Sequence, residues 1–381
     1  MSILDYYFYY YSSVFAGYPI VIKIAIFIIL ILLILSLMSL YRFFHIRRKQ
    51  LLAEKRKIKI EDKYKEKLID LLYFSFREVN VTDLKEGKDF PIPRKSWQNE
   101  MLTELILKIK SDKSYEMNGG VFQNSNYYNL MSYTKLFDFW VKNISSTNSN
   151  KAIKALRMVN EIGEGISGSA FSRVVHHQNR YLRKFARMTF SRFDDHDPYK
   201  FLEQGFDVHF NKFDEKRLHY TLIEISKDYT IPPLSKWINN SKKKNYKCFL
   251  IREIGFFRQE EAIPYLVELF KTEPSIPIQS QIMETLGELK YEPLINLVKE
   301  DFRFASQSLQ ASMLKGLKRL KSKKCLPFLK EAYHSSQFNE NKIRIVELLQ
   351  EFNKDGVTIL TSLSTDSNSE FEANLFDFAL K

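Results

Sequence analysis

Leu250–Leu269 (LIREIGFFRQEEAIPYLVEL) reads as two amphipathic helices joined by a tight turn. The first pattern closes on an apolar residue followed by a small one, Ile254-Gly255, and Pro264 stands in the first turn of the second. Proline there loses no needed N–H bond and its φ already suits a helix. Leu314–Leu329 (LKGLKRLKSKKCLPFL) has the same layout.

Working outward, the apolar-small closure recurs at Ile162-Gly163, Phe190-Ser191, Ile225-Ser226, Ile254-Gly255 and Leu286-Gly287. The register continues with Leu317-Lys318 and Leu349-Gln350, at intervals of 28, 35, 29, 32, 31 and 32 residues. A second amphipathic stretch follows each, often with an early proline: Pro198, Pro232-Pro233, Pro264, Pro293 and Pro327. One helix pair cannot bury its apolar face alone, whereas a stack of pairs shares a continuous core. An all-α repeat domain over residues 151–381 is therefore expected, and 12 Gly and 11 Pro argue against a turn-dense β fold.

The N-terminal part has a different character. Residues 20–41 are almost purely apolar, and thirteen of residues 24–40 are Ile, Leu or Phe. At 1.5 Å per residue such a helix spans about 33 Å, enough for a bilayer core. Its apolar side chains favour insertion by roughly 4 to 8 kcal/mol, against roughly 3 kcal/mol for Lys23 at mid-bilayer. Lys23 lies in the first turn and can snorkel to the interface. A cleaved signal peptide fits poorly, because no Lys or Arg precedes Lys23. Arg42, Arg47, Arg48 and Lys49 follow the span, while residues 1–19 carry only Asp5 among acidic and basic side chains. This bias predicts an outside N-terminus and a cytoplasmic C-terminal domain. The Tyr6–Tyr11 run suits an outer interfacial belt.

Residues 42–150 are expected to form a basic juxtamembrane helix and a helical connecting region. The helix runs over 42–79, with Leu68, Leu71, Leu72 and Ser75 at helical spacing. A break at Glu86–Pro93 contains Gly87, Pro91 and Pro93. Residues 96–110 and 129–142 read as helices, 111–128 as a loop, and 145–150 as a linker.

The net charge of +13 is concentrated. Residues 42–115 hold 19 basic and 12 acidic side chains, a balance of +7, and residues 151–260 hold 21 and 13, a balance of +8. Residues 261–381 hold 15 and 17, a balance of −2. Anionic lipid headgroups are the expected partner of residues 42–67. Nucleic acid is disfavoured, because a tethered chain meets the bilayer first. Biased genome composition explains the same excess equally well. Two cysteines, Cys248 and Cys325, offer no disulfide framework.

The repeat pattern resembles HEAT and HEAT-like repeats. Leu182-Arg183-Lys184-Phe185-Ala186-Arg187 is similar to the V-R-x-x-A step of that family. Tetratricopeptide and ankyrin signatures are missing. The resemblance covers residues 151–381, weakens toward the C-terminus, and implies a right-handed α-solenoid. The whole layout looks like bacterial single-span membrane proteins with a cytoplasmic HEAT-repeat domain. That likeness implies the bacterial inner membrane and a membrane glycosyltransferase or other envelope-assembly enzyme as protein partner.

Motifs of chemistry are sparse. Gly163-Glu164-Gly165-Ile166-Ser167-Gly168 spells a G-x-G-x-x-G. A dinucleotide site needs a strand before it, and residues 152–162 are helically periodic instead. Gly163 and Gly165 better suit a left-handed helix end. His176-His177 point apart on a helix and cannot share an ion. In Asp194-Asp195-His196-Asp197, Asp197 reads as an N-cap. Neither a metal nor a cofactor is predicted. No triad signature, paired-Cys motif, Walker loop or H-E-x-x-H is present, so no catalytic residue is assigned.

The basic series Arg173, Arg180, Arg183, Lys184, Arg187 and Arg192 straddles one helix–turn–helix step. It is either a partner-binding ridge for anions and acidic surfaces, or a set of internal bridges and helix caps. Lys236 and Trp237 line a groove or pack between units. The expected function is a non-enzymatic membrane-anchored scaffold that presents a repeat surface to another membrane protein. Its alternatives are a HEAT-like nucleic-acid-acting enzyme of the DNA-alkylation-repair type and a lipid-headgroup sensor.

Overall fold

The computed structural model describes residues 3–75, 77–86, 90–163, 165–366 and 369–381, and among them there are helices and no strands. Gly87 and Glu164, both part of the sequence reading, lie outside the described residues. The chain divides into two compact units at Phe139/Trp140.

In the first unit, α1 (Ile3–Gly17) carries the tyrosine run and α2 (Ile20–Ile69) the apolar span. The apolar part of α2 has a mean hydropathy of 3.3 with none of it buried, and the helix is long and apolar enough to cross a membrane. Lys23 turns back instead of standing alone. Its Nζ donates to the Ala16 carbonyl at 2.8 Å, in the last turn of α1, where carbonyls lack helical partners. Arg42, Arg47, Arg48 and Lys49 are exposed on the same continuous helix.

The lower part of α2 becomes amphipathic. Ile60, Tyr64 and Leu68, spaced at i, i+4 and i+8, are buried, and α2 packs against α4 (Ser96–Ser111). α3 (Val81–Glu86) lies between them in sequence. α2 runs into a π-helical turn at Asp70–Phe74, closed by Ser75 N–H to the Asp70 carbonyl at 2.8 Å. This turn leaves the carbonyls of residues 71–73 to other partners. Asn126 Nδ2 takes Leu71 at 3.0 Å, Gln123 N–H takes Leu72 at 2.8 Å, and Val121 N–H takes Tyr73 at 3.0 Å.

The expected loop at 111–128 holds the short α5 (Ser114–Met117) and the start of α6 (Asn124–Tyr133). The single helix expected over 129–142 is broken. Thr134 Oγ1 bonds the Leu130 carbonyl at 2.7 Å and Lys135 is left-handed at φ 57°, so α7 (Leu136–Ile144) starts afresh.

The second unit opens with α8 (Ser149–Ile162), capped by Asn148 and ended by Gly163 at φ 86°, the left-handed end its sequence suggests. α9 (Arg180–Phe193) follows, capped by Asn179, and then the four-residue α10 (Lys200–Glu203). Asp197 is not the cap. Asp194 Oδ1 accepts from the N–H groups of His196 and Asp197, because its carboxylate reaches over the turn from the end of α9. α11 (Lys212–Ile225) starts with a reciprocal Asn211–Asp214 capping box, and α12 (Ser235–Asn240) is six residues long.

Helix pairs become regular from there: α13 (Lys244–Phe256) with α14 (Ile263–Thr272), and α15 (Ile276–Glu288) with α16 (Leu294–Asp301). α17 (Gln307–Leu320) with α18 (Leu326–Ser335), and α19 (Asn339–Gln350) with α20 (Asn353–Thr365), continue the series, and α21 (Glu370–Ala379) ends it. Pro264 and Pro327 occupy the first turns of α14 and α18, and Pro293 caps α16. The first helices of successive pairs pack side by side, α13 on α15, α15 on α17, α17 on α19. Close approach at this row explains its glycines. A Cβ on Gly287 would run into the Gly316 carbonyl, and one on Gly316 into the Met283 carbonyl.

Candidate anion-binding groove

The basic series divides into two groups. Arg183, Lys184 and Arg187 project inward from α9 and are almost wholly enclosed. Arg183 grips the fully buried Asp207 carboxylate with Nε at 2.7 Å and Nη2 at 3.2 Å, and donates Nη1 to the His177 carbonyl at 2.8 Å. Arg187 lies 3.6 Å from the same carboxylate and bonds the carbonyls of Val175 and Phe206. Lys184 pairs with Asp214 at 2.5 Å and also donates to the His209 carbonyl. Lys243 reaches the Asp207 carbonyl at 2.5 Å. Burial pushes the Asp207 carboxyl up, but the Arg183 bonds and nearby Arg187 pull it further, to a net position below the usual carboxylate range. Arg183, Lys184 and Arg187 thus staple the turn before α11, and its first residues, to α9 and are almost withdrawn from solvent.

Arg173, Arg180 and Arg192 are exposed. Hence the six residues do not form one continuous ridge. Trp237 is buried against Tyr199 at 5.8 Å, while Lys236 is exposed beside it. His176 and His177 lie in a turn rather than a helix. His176 packs edge-on to Phe201, and His177 Nδ1 accepts from Asn179 N–H at 3.0 Å.

A groove of about 390 Å³ lies between α8, α9 and α11. Arg157, Arg192 and Arg217 line it, one from each helix, with Arg157 and Arg217 at the Tyr181 phenol and Arg192 at the other end of α9, beside Asn160. Arg157 Nη2 donates to Tyr181 Oη at 3.4 Å, and the Arg217 guanidinium stands 5.4 Å from the Tyr181 ring centre. The Arg157 hydrogen bond, aided by Arg217, holds this phenol below its usual range despite partial burial. Arg192 Nη1 donates to the Asn160 carbonyl at 3.0 Å. Phe185 and Met188 supply an apolar floor, and the Tyr220 ring stands 67% exposed at the rim. Glu224, the one carboxylate in the lining, is engaged by Lys227 at 2.7 Å.

None of the three groove arginines forms an ion pair among the described residues. By contrast, Arg252, Arg258, Arg303, Arg319 and Arg344 each have a carboxylate partner. A concave surface with three guanidiniums outside any close ion pair is chemically suited to an anion, since each offers planar donors to phosphate or carboxylate.

Sequence reasoning placed Arg192 in the basic series but missed Arg157, Tyr181, Arg217 and Tyr220. A usable signal existed in α11. Arg217, Tyr220, Thr221 and Glu224 share one face, next to the buried stripe of Leu218, Leu222 and Ile225. Compared with known proteins, the chain matches no family and no curated protein.

Proposed function

We propose that this protein is a membrane-tethered, non-catalytic binding module that recognises an anionic ligand or partner surface through the α8–α9–α11 groove. In this reading α2 spans the bilayer with its N-terminus outside, and the second unit is a cytoplasmic α-solenoid of the HEAT-like kind. Helix pairs with partners about thirty residues apart support the repeat architecture. Lys247–Glu273 and Arg252–Glu215, separated by 26 and 37 residues, bracket that spacing. The apolar length of α2 and the Arg42, Arg47, Arg48 and Lys49 cluster support the tether and its direction.

The observation that carries the proposal is one groove lined by Arg157, Arg192 and Arg217, none of them in an ion pair among the described residues, with Arg157 and Arg217 flanking Tyr181. Confinement at a membrane raises effective concentration toward other membrane proteins, which suits an adaptor. The test is affinity purification of the full chain from its native membranes, with and without Arg157→Glu plus Arg217→Glu. Loss of a co-purifying partner at unchanged helical content is expected. An unchanged partner set would refute the groove as the recognition surface.

A further inference from the structure

The groove has features that a plain anion site does not need. Its floor is apolar, at Phe185 and Met188, and two tyrosine rings border its cations. Tyr181 is already covered by Arg217, whereas Tyr220 presents a largely open ring face at the rim. Guanidinium planes and phenol rings both stack on nucleobases, because every base has a π-face. At about 390 Å³ the groove falls in the range of small-molecule sites, roughly 300 to 1,000 Å³. A protein segment would need about 800 Å² of surface per partner.

Resting on the binding-module reading above, we propose that the groove is a nucleotide site. Its guanidiniums at Arg157 and Arg217 take the phosphates, with Arg192 closing the far side. The base lies against the Tyr220 ring over the Phe185–Met188 floor. Asn160 and Thr221, also in the lining, use their donors on Leu156, Thr189 and Arg217, and so offer only the acceptors Oδ1 and Oγ1 to base or ribose edges. Glu224 is drawn toward Lys227, which lessens its repulsion of phosphate. No bond is made or broken. The ligand acts as a soluble signal read by the tethered unit.

The test uses the full chain in lipid nanodiscs and isothermal titration with four probes: ATP, GTP, inorganic pyrophosphate and a polyglutamate peptide. At least one nucleotide should bind more tightly than pyrophosphate. Arg157→Ala or Arg217→Ala should weaken that binding about tenfold or more, the scale of a lost charge-assisted contact. Tyr220→Ala should weaken nucleotide binding while leaving pyrophosphate binding unchanged. Arg217→Lys, which keeps the charge, should retain part of the affinity and control for misfolding. Equal affinity for pyrophosphate and nucleotides would overturn the base-stacking assignment. Binding of polyglutamate alone would overturn the nucleotide site while leaving the anion groove intact. Binding of none of the four, with partner co-purification still dependent on Arg157 and Arg217, would overturn this inference and spare the adaptor reading.

Discussion

Within the second unit, the stretch from α8 to α12 and the stretch from α13 to α21 solve the same packing problem differently. From α13 onward the interior is mainly apolar, with Ile254, Leu286, Leu317 and Leu349 fully buried beside a few enclosed polar groups such as Glu253, Gln310 and Asn341, and Gly287 and Gly316 let neighbouring backbones touch. Many cations there are matched to carboxylates at the surface, as in Lys318–Glu351 and Lys324–Glu292. From α8 to α12 the helices shrink to four and six residues at α10 and α12, and a charged network fills the gap beneath α9. The difference teaches that the regular helix pairs use many of their charges in matching one pair to the next. The irregular stretch instead buries some cations deeply and leaves Arg157, Arg192 and Arg217 in a groove without an ion pair among the described residues.

The comparison is broken most severely at Asp207. Asp207→Ala leaves the enclosed Arg183 and Arg187 without their carboxylate, and should cost about 3 to 5 kcal/mol in urea unfolding of the full chain in detergent. A loss under about 1 kcal/mol would show that these arginines reach water instead.

In the regular stretch the sensitive element is backbone proximity rather than charge. Gly287→Ala must push α15 away from Gly316, and overpacking of this kind costs about 1 to 3 kcal/mol. Ala at Gly119, where nothing lies within 4 Å, meets no such neighbour and suffers only from its φ of 85°. Thermal denaturation of the Gly287 variant would check the claim, and an unchanged midpoint would contradict the close packing.

The seam between α11 and α13 should respond to pH. Glu253 is fully buried and its Oε2 lies 2.6 Å from His219 Nδ1. Burial pushes its carboxyl above the usual range, more than His219 and Arg252 pull it back. The folded protein therefore holds this proton more tightly than the unfolded chain. The resulting stability is fully present below the unfolded carboxyl pKa and is lost as pH rises through the raised folded value. Glu253→Gln stays neutral, so its melting temperature relative to the parent should rise across that same window. A parallel pair of pH profiles would remove Glu253 from the account.

The smallest effect is expected at the exposed ion pairs. Lys324→Ala breaks a contact to Glu292 in which both side chains are more than half exposed, and should change stability by less than about 1 kcal/mol. A larger loss would mean that the surface pairs, and not the glycine row, hold the regular stretch together.

How much of this was legible in the sequence follows the same division. Leu286-Gly287 announced a regular pair because a Cβ at Gly287 would run into the Gly316 carbonyl, whereas at Ile254-Gly255 a Cβ would come closest to the Thr285 methyl, at 3.2 Å. At Leu317-Lys318 the expected register passed the small residue by one position, since Gly316 is the one that meets the neighbouring backbone. The helix over 96–110 was legible from periodicity, and the one expected over 42–79 holds only as far as the π-helical turn that ends at Phe74. The break at Lys135 was not, because a lysine in a left-handed conformation carries no local signature. The basic excess of residues 151–260 was visible, yet its partition was hidden. Nothing near Arg183 tells that Asp207, 24 residues later, folds back onto it. Likewise Arg157, Tyr181 and Arg217 become neighbours only once three helices are laid side by side.

The most direct test of the central claim is site-specific photocrosslinking of the full chain in its native membranes. The photoreactive group replaces either Tyr220, at the groove rim, or Phe304, which is 90% exposed in the regular stretch. The account predicts a discrete adduct from position 220 that disappears when Arg157 and Arg217 are changed to Glu, and none from position 304. Equal labelling at both positions, or an adduct at 220 that survives the charge reversal, would contradict it.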